Sequence, residues 1–193
     1  PIDFSPGLPP KEECFDGYTL YDDPTLHIEI RYEERKSRGS QKVGIWVASI
    51  KIGDASQLRS MAAESFEIDK SYLPGPSIAE RANAVLAING DYYGGRSDGI
   101  VIRNGELFRE DAYPVRDVCV LYWDGTMETY SDVKFDAEAA IDNGAYQAWN
   151  FGPELLDKDG HAMTKFNSDV GPTNPRTVLG YYEPGHYCLD RKS

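Results

Sequence analysis

The sequence predicts an α+β fold: a single domain with a large mixed, mainly antiparallel sheet and a few short helices. Three observations lead there. Residues 25–33 alternate strictly, with Leu26, Ile28, Ile30 and Tyr32 on one face and His27, Glu29 and Arg31 on the other, the period of a half-buried strand. The dipeptides Asn104-Gly105 and Asp124-Gly125 each separate two strand-like runs, the pattern of antiparallel neighbours joined by tight turns. The helical patterns bunch between the second and third strands instead of alternating with strands, which disfavours a doubly wound fold.

The chain has 193 residues, enough for one domain with its own core. Hydrophobic residues make up 40% and aromatic residues 12%, so the composition is that of a folded protein. Its 13 tyrosines suit both β-structure and sugar-contacting surfaces. A net charge of −12 argues against a nucleic-acid partner, which needs a basic face, and against an anionic membrane surface. It leaves an anionic small substrate open, because one local arginine outweighs a distant field. No apolar run is long enough to insert in a membrane. The chain opens on Pro1, so an export signal is expected to have been removed upstream. Cys14, Cys119 and Cys188 show no C-x-x-C spacing; Cys119 reads as a small buried hydrophobe.

In chain order, residues 1–17 read as an extended lead-in and residues 18–193 as the domain. A second strand covers 43–52. Asp54 caps a helix running to about Phe66, with Leu58, Met61, Ala62 and Phe66 as its apolar stripe. Ser77 and Glu80 have capping-box spacing and open a short helix through Asn83. Residues 84–88 form an apolar run that reads as a buried strand delivering Asn89-Gly90-Asp91-Tyr92-Tyr93-Gly94-Gly95 to its end. Then follow a hairpin over 99–108 with a type I′ turn at Asn104-Gly105, and a second over 117–130. A short helix over 136–143 is stopped by Gly144. Strand candidates at 145–151 and 155–156, a turn at Asp159-Gly160, and strands at 177–182 and 187–189 complete the chain.

Three groups carry candidate chemistry. The first is Asn89, Gly90, Asp91, Tyr92 and Tyr93, with Asp98 shortly after: an amide, carboxylates, aromatic rings and close backbone approach on one loop. The second is the stretch 149–153, which includes Gly152. The third is Asn174-Pro175-Arg176-Thr177. A guanidinium at a strand entrance suits a bidentate hold on phosphate or carboxylate, and a structural ion pair fits the same residue. Of the acids, Asp91 is the best-placed candidate for acid–base work, since it follows the apolar run directly, and Asp98 is next. A Ser-His-Asp arrangement has little support: there is no Gly-x-Ser-x-Gly elbow. A metal cage would have to draw on scattered acids such as Asp91, Asp98 and Asp111, with no ligand spacing, so no metal is assigned. No Walker or Rossmann pattern calls for a cofactor.

Taken together, 87–93, 99–105, 151–156 with Asp159-Gly160, and 174–180 resemble, in that order, the phosphodiester glycosidase family. This domain is that of the mannose 6-phosphate uncovering enzyme and of bacterial exopolysaccharide-associated proteins. The likeness runs from about Tyr18 to Leu189. It implies an α+β fold with a large mixed sheet and a hydrolase that releases a sugar from a 1-phosphodiester, the substrate a sugar phosphodiester or phosphoglycan. It implies that Asn89, Gly90 and Asp91 line the site, that Arg176 holds the phosphodiester and that Thr177 supports it. An extracellular or cell-surface location goes with this reading. Family members often carry glycine at the position of Asp91. They also continue from the Arg-Thr strand into Asp-Gly-Arg, a helix and Asp-Gly-Gly-Ser, whereas this sequence closes with residues 187–193. The resemblance therefore implies a domain without its C-terminal part. The competing reading is a non-catalytic glycan- or phosphoglycan-binding module of a cell surface.

Overall fold

The computed structural model describes residues 10–36, 42–67, 71–111, 116–131, 135–166, 168 and 174–192. Among them are eleven strands and two short α-helices, and every strand pairing is antiparallel. The α+β class is as expected. The strands are divided between two sheets rather than joined in one, and they belong to two compact units, residues 1–58 with 173–193 and residues 59–172.

The first unit is a six-stranded sheet made of β1 (Lys11–Phe15), β2 (Tyr18–Asp22), β3 (Leu26–Lys36), β4 (Lys42–Ile52), β10 (Arg176–Glu183) and β11 (His186–Lys192), in the order β1-β2-β3-β4-β11-β10. The alternation predicted for β3 holds. Ile28 and Ile30 face the same way as Ile50 and Ala48 across β4 and as Tyr187 and Leu189 across β11, and Ile28, Ala48, Ile50 and Tyr187 are buried. Two strands, β1 and β2, were not foreseen. β1 lies within the expected lead-in: its KEECF sequence is charged and mostly exposed, as befits an edge strand, and its pairing with β2 alone makes it a strand. Cys14 on β1 and Cys188 on β11 are four strand steps apart, about 19 Å at ordinary spacing. That is far beyond the reach of a disulfide, and both thiols are free.

The second unit is a five-stranded sheet, β6-β5-β9-β7-β8, formed by β5 (Val101–Arg103), β6 (Glu106–Arg109), β7 (Asp117–Tyr122), β8 (Met127–Ser131) and β9 (Ala145–Trp149). Helix α1 (Gly75–Arg81) precedes it, and α2 (Ala137–Asp142) packs on β6 and β9. Ile102, Ala148 and Val120 form one row across β5, β9 and β7. With Ile100, Val118, Ala137, Ala140 and Ala145 they make the buried core. The opposite face carries Arg103 and Gln147, and both are buried. Polar residues in that position need partners. Gln147 has them: its Nε2 donates to Asn104 Oδ1 at 2.8 Å and its Oε1 accepts from Ser60 Oγ at 2.9 Å.

Three local expectations needed correction. Asp54 does cap, and it closes a capping box with Gln57, but the helix stops after one 3-10 turn, Ala55–Gln57. Beyond it the Ser60 N–H donates to Asn104 Oδ1 and the Ser60 C=O accepts from Asn104 Nδ2, so these backbone groups are taken by a tertiary partner instead of a helix ladder. Helix α1 begins two residues before Ser77, with a proline in its first turn and no side-chain cap; the proline supplies the start that the Ser77–Glu80 box was expected to give. Residues 84–88 form no strand.

Asn104 and Gly105 both take positive φ, 54° and 85°, as a type I′ turn requires. A Cβ on Gly105 would lie 3.2 Å from Trp123 Cζ2. Gly105→Ala is therefore expected to destabilise the protein by about 1–2 kcal/mol, combining backbone strain and the contact, measured as a fall in the urea midpoint at unchanged m-value.

Candidate functional site

The apolar run expected to be the buried strand of the site lies at the surface. Val85 is 49% exposed and Ile88 40% exposed. None of the five strands of this unit's sheet comes from the stretch, and an apolar run becomes a strand only where a ladder partner takes its backbone groups. Burial begins at Asp91, which is 5% exposed. The loop is thus anchored by a carboxylate and not by the hydrophobic residues before it.

Asp91 is held by two donors. Arg103 Nη2 lies 2.6 Å from its Oδ1, in an ion pair whose side chains are almost wholly buried, and the Asn150 N–H reaches its Oδ2 at 3.2 Å. Arg103 occupies the last position of β5, on the face opposite the hydrophobic core, and its Nη1 donates to the carbonyls of Ile102 and Ala148. The ring of Tyr93 lies 5.3 Å from this guanidinium, a cation–π distance. Asn150 is fully buried at the end of β9. Its Oδ1 accepts from the Ile100 N–H at 3.3 Å, and its Nδ2 donates to the carbonyls of Arg116 and Asp117. Gly99 has φ 91°, and a Cβ there would stand 2.7 Å from Asn150 Oδ1, so this close crossing of the two chains requires glycine.

The turn between Asp91 and Gly99 is fastened by Arg109 of β6. Its Nε, Nη1 and Nη2 donate to the carbonyls of Gly99, Arg96 and Tyr93 at 2.8, 2.6 and 3.1 Å. Arg96 reaches across to the Asn150 carbonyl at 2.7 Å. Burial pulls both guanidinium groups below the ordinary arginine value, while the carboxylates of Asp91 and Asp98 act the other way. Asp98 is half-buried within the same turn. Tyr93 Oη donates to the Ser65 carbonyl, and its ring meets Phe66, which in turn meets Phe108. A cavity of about 300 Å³ beside them is lined by Phe66, Ser97, Val101, Phe108, Arg109, Glu110 and Asp111.

Of the other residues singled out from the sequence, Asn89 and Gly90 are exposed. Tyr92 takes a left-handed conformation and is 70% exposed. Gly152 is half-buried, with open space where a Cβ would stand. These lie in the second unit with Asp91, Tyr93 and Asp98. Asn174, Arg176 and Thr177 lie in the first. Asn174 is exposed, and Arg176 opens β10 opposite Lys192, half-buried. Thr177, opposite Arg191, points to the other face of the sheet, because neighbours along a strand alternate. Arg176 shares its face with Val178 and Gly180, and through the register with Cys188, Ser49 and Glu29.

The sequence did not single out Arg96, Arg103, Arg109 or Arg116, and noted Asn150 only within a group. One signal was present: four arginines between positions 96 and 116 of a strongly acidic chain, one of them inside an apolar strand run. Among the described residues, Asp157, Asp159 and His161 bring ligand-type atoms within 4.8 Å of one another. All three are exposed on one turn, where Asp157 Oδ1 accepts from the Asp159 and His161 amides.

The fold is that of an antiparallel α+β protein whose second unit carries a buried carboxylate ringed by arginines. Residues 82–189 match the model of the phosphodiester glycosidase (NAGPA) family, more than half of the chain, and the chain belongs to that family. It is 34% identical over 118 residues to the SPbeta prophage-derived uncharacterized protein YomE of Bacillus subtilis (strain 168), a match that takes in 56% of this chain and 18% of that protein. In structure it is similar to the catalytic domain of zebrafish N-acetylglucosamine-1-phosphodiester alpha-N-acetylglucosaminidase, auto-inhibited by its pro-peptide. The TM-score is 0.53 at 14% identity, over 89% of this chain and 62% of that one, a likeness of fold. The chain thus spans less than two thirds of either protein's length.

Arg103→Met is expected to cost about 3–5 kcal/mol, because it strands a buried carboxylate. The double variant Asp91→Asn, Arg103→Met is expected to regain much of that loss. Urea unfolding of the three proteins measures both.

Proposed function

We propose that this protein is a glycosidase-type hydrolase that cleaves a sugar 1-phosphodiester of the N-acetylglucosamine-1-phosphodiester kind, releasing the free sugar. The observation that carries the reading is the family match, which spans both the Asp91 loop and Arg176. Water adds across the bond between the anomeric carbon and the ester oxygen. The sugar leaves with the water oxygen, and the phosphate departs as a monoester. A phosphodiester holds one negative charge and the departing monoester gains a second, so a guanidinium that forks onto its oxygens stabilises the bond-breaking step. Arg176 is assigned that task and Thr177 its support. Asp98 is assigned the acid–base work. Asp91, held by Arg103, is assigned to orient the loop and to lend it negative charge. Asn89, Gly90, Tyr92, Tyr93, Gly152 and Asn174 are assigned to substrate contact, and an extracellular or cell-surface setting fits such a substrate. No helix among the described residues is long and apolar enough to cross a membrane.

A second reading, a glycan-binding module without catalysis, is favoured by two observations. The Asp91 carboxylate is spent on a buried ion pair. The exposed pair Tyr32 and Trp46, with ring centroids 4.9 Å apart, offers an aromatic surface of the kind that sugars stack on.

Incubation with an N-acetylglucosamine 1-phosphodiester separates the two. The parent is expected to release free sugar, and Arg176→Ala to lower turnover by about 10²-fold or more with the fold intact by circular dichroism. Unchanged turnover in Arg176→Ala removes that residue from the reaction. Saturable binding with no product on long incubation favours the module.

A further inference from the structure

The chain is acidic, with a net charge of −12, yet four arginines fall between positions 96 and 116. Four arginines surround the turn after Asp91, and they divide into two kinds. Arg103 and Arg109 serve the scaffold: one holds Asp91 and two strand carbonyls, the other holds three carbonyls of the turn. Arg96 and Arg116 converge on one backbone step. Arg96 Nη2 donates to the Asn150 carbonyl at 2.7 Å, and the Arg116 guanidinium lies over the ring of Phe151, 4.9 Å from its centroid. Arg116 is 7% exposed, and its own carbonyl is fixed by Asn150 Nδ2. The Arg96 Nη1 packs 3.6 Å from the place a Cβ on Gly99 would take, so that glycine also leaves room for the guanidinium.

Two like charges brought together away from bulk water repel one another more strongly than they would in solvent. Burial is the larger cause and the charge of Arg116 the next in holding Arg96 below its ordinary value, and the opposing carboxylates of Asp91 and Asp98 do not offset them. A polyvalent oxyanion that accepts from both groups would turn this repulsion into attraction, and guanidinium forks match phosphate oxygens in shape.

We propose that Arg96 and Arg116, positioned by Asn150 and Phe151, form a binding site in the second unit for a phosphate group carried on a sugar. The choice of a sugar phosphate as ligand rests on the function proposed above; the anion site itself rests on the arginine pair. Arg103 and Arg109 build the site without touching the ligand. Gly152, next to Phe151, has open space at its Cβ position.

The test is binding by isothermal calorimetry with three probes: inorganic phosphate, N-acetylglucosamine 1-phosphate and neutral N-acetylglucosamine. The parent is expected to bind both phosphates saturably, the sugar phosphate more tightly, and the neutral sugar not at all at this site. Arg96→Gln is expected to weaken both phosphates by about tenfold or more, the scale of a lost charge-assisted contact. Arg96→Lys should fall between the two, because it keeps the charge and loses the fork. Lys158→Gln, on an exposed turn, should match the parent. Because Arg116 is buried, Arg116→Gln is read only if its circular dichroism and urea midpoint show a folded protein, and the Arg96 pair of variants carries the test otherwise. Phosphate binding that is equal in the parent and Arg96→Gln, or absent from the parent, overturns the site. Equal affinity for free phosphate and sugar phosphate overturns the sugar-bearing ligand. Turnover of a phosphodiester is measured in parallel. Phosphate binding that depends on Arg96 in a protein with no turnover upholds the site and removes the hydrolase. Turnover in a protein whose phosphate binding ignores Arg96→Gln upholds the hydrolase and removes the site.

Discussion

The Asp91–Arg103 ion pair is the constraint on which the second unit's site depends. It joins the loop that follows Gly90 to the end of β5, and through the Asn150 amide to the end of β9. A buried carboxylate is costly unless it is paired and hydrogen-bonded. Both its oxygens have partners here, so the loop can sit in only one place. Everything else in the turn then follows from short-range bonds: Arg109 gathers three carbonyls, and Asn150 fixes the Ile100 amide and the carbonyls of Arg116 and Asp117 at the start of β7.

This arrangement uses charge where many folds use hydrophobic packing. The residues before Asp91 are apolar but exposed, and the residues that lock the loop are polar but buried. The scaffold arginines cannot be replaced by lysine without loss, because each serves three acceptors from a planar fork. Four guanidinium groups are thereby gathered within one short stretch of an acidic chain, interleaved with the carboxylates of Asp91 and Asp98.

What the sequence made legible was local. The Asn104-Gly105 turn, the Asp54 cap and the alternation of β3 depend on neighbours within a few residues, and all three are present. The edge strand β1 was hidden, because its charged sequence becomes a strand only through β2. The helix from Asp54 was overread, because Asn104, 44 positions beyond Ser60, takes the backbone groups that the helix would need. The apolar run at 84–88 was overread for the converse reason: its composition suits a strand, and none of the second unit's strands pairs with it. In the site, Asp91 was legible as a candidate carboxylate. Its ion pair was not, because the burial that makes Arg103 and Asn150 decisive is a property of the sheet and not of their neighbours in sequence.

Native-state amide hydrogen exchange tests this account most directly. If the buried pair holds the loop, the Ile100 and Asn150 amides exchange slowly in the parent, close to the limit set by global unfolding. In Asp91→Ala both lose protection together, while the Val120 amide in β7 keeps the rate set by the remaining global stability. Slow exchange at Ile100 and Asn150 that persists in Asp91→Ala would contradict it, and would mean that the loop is held by something other than the carboxylate.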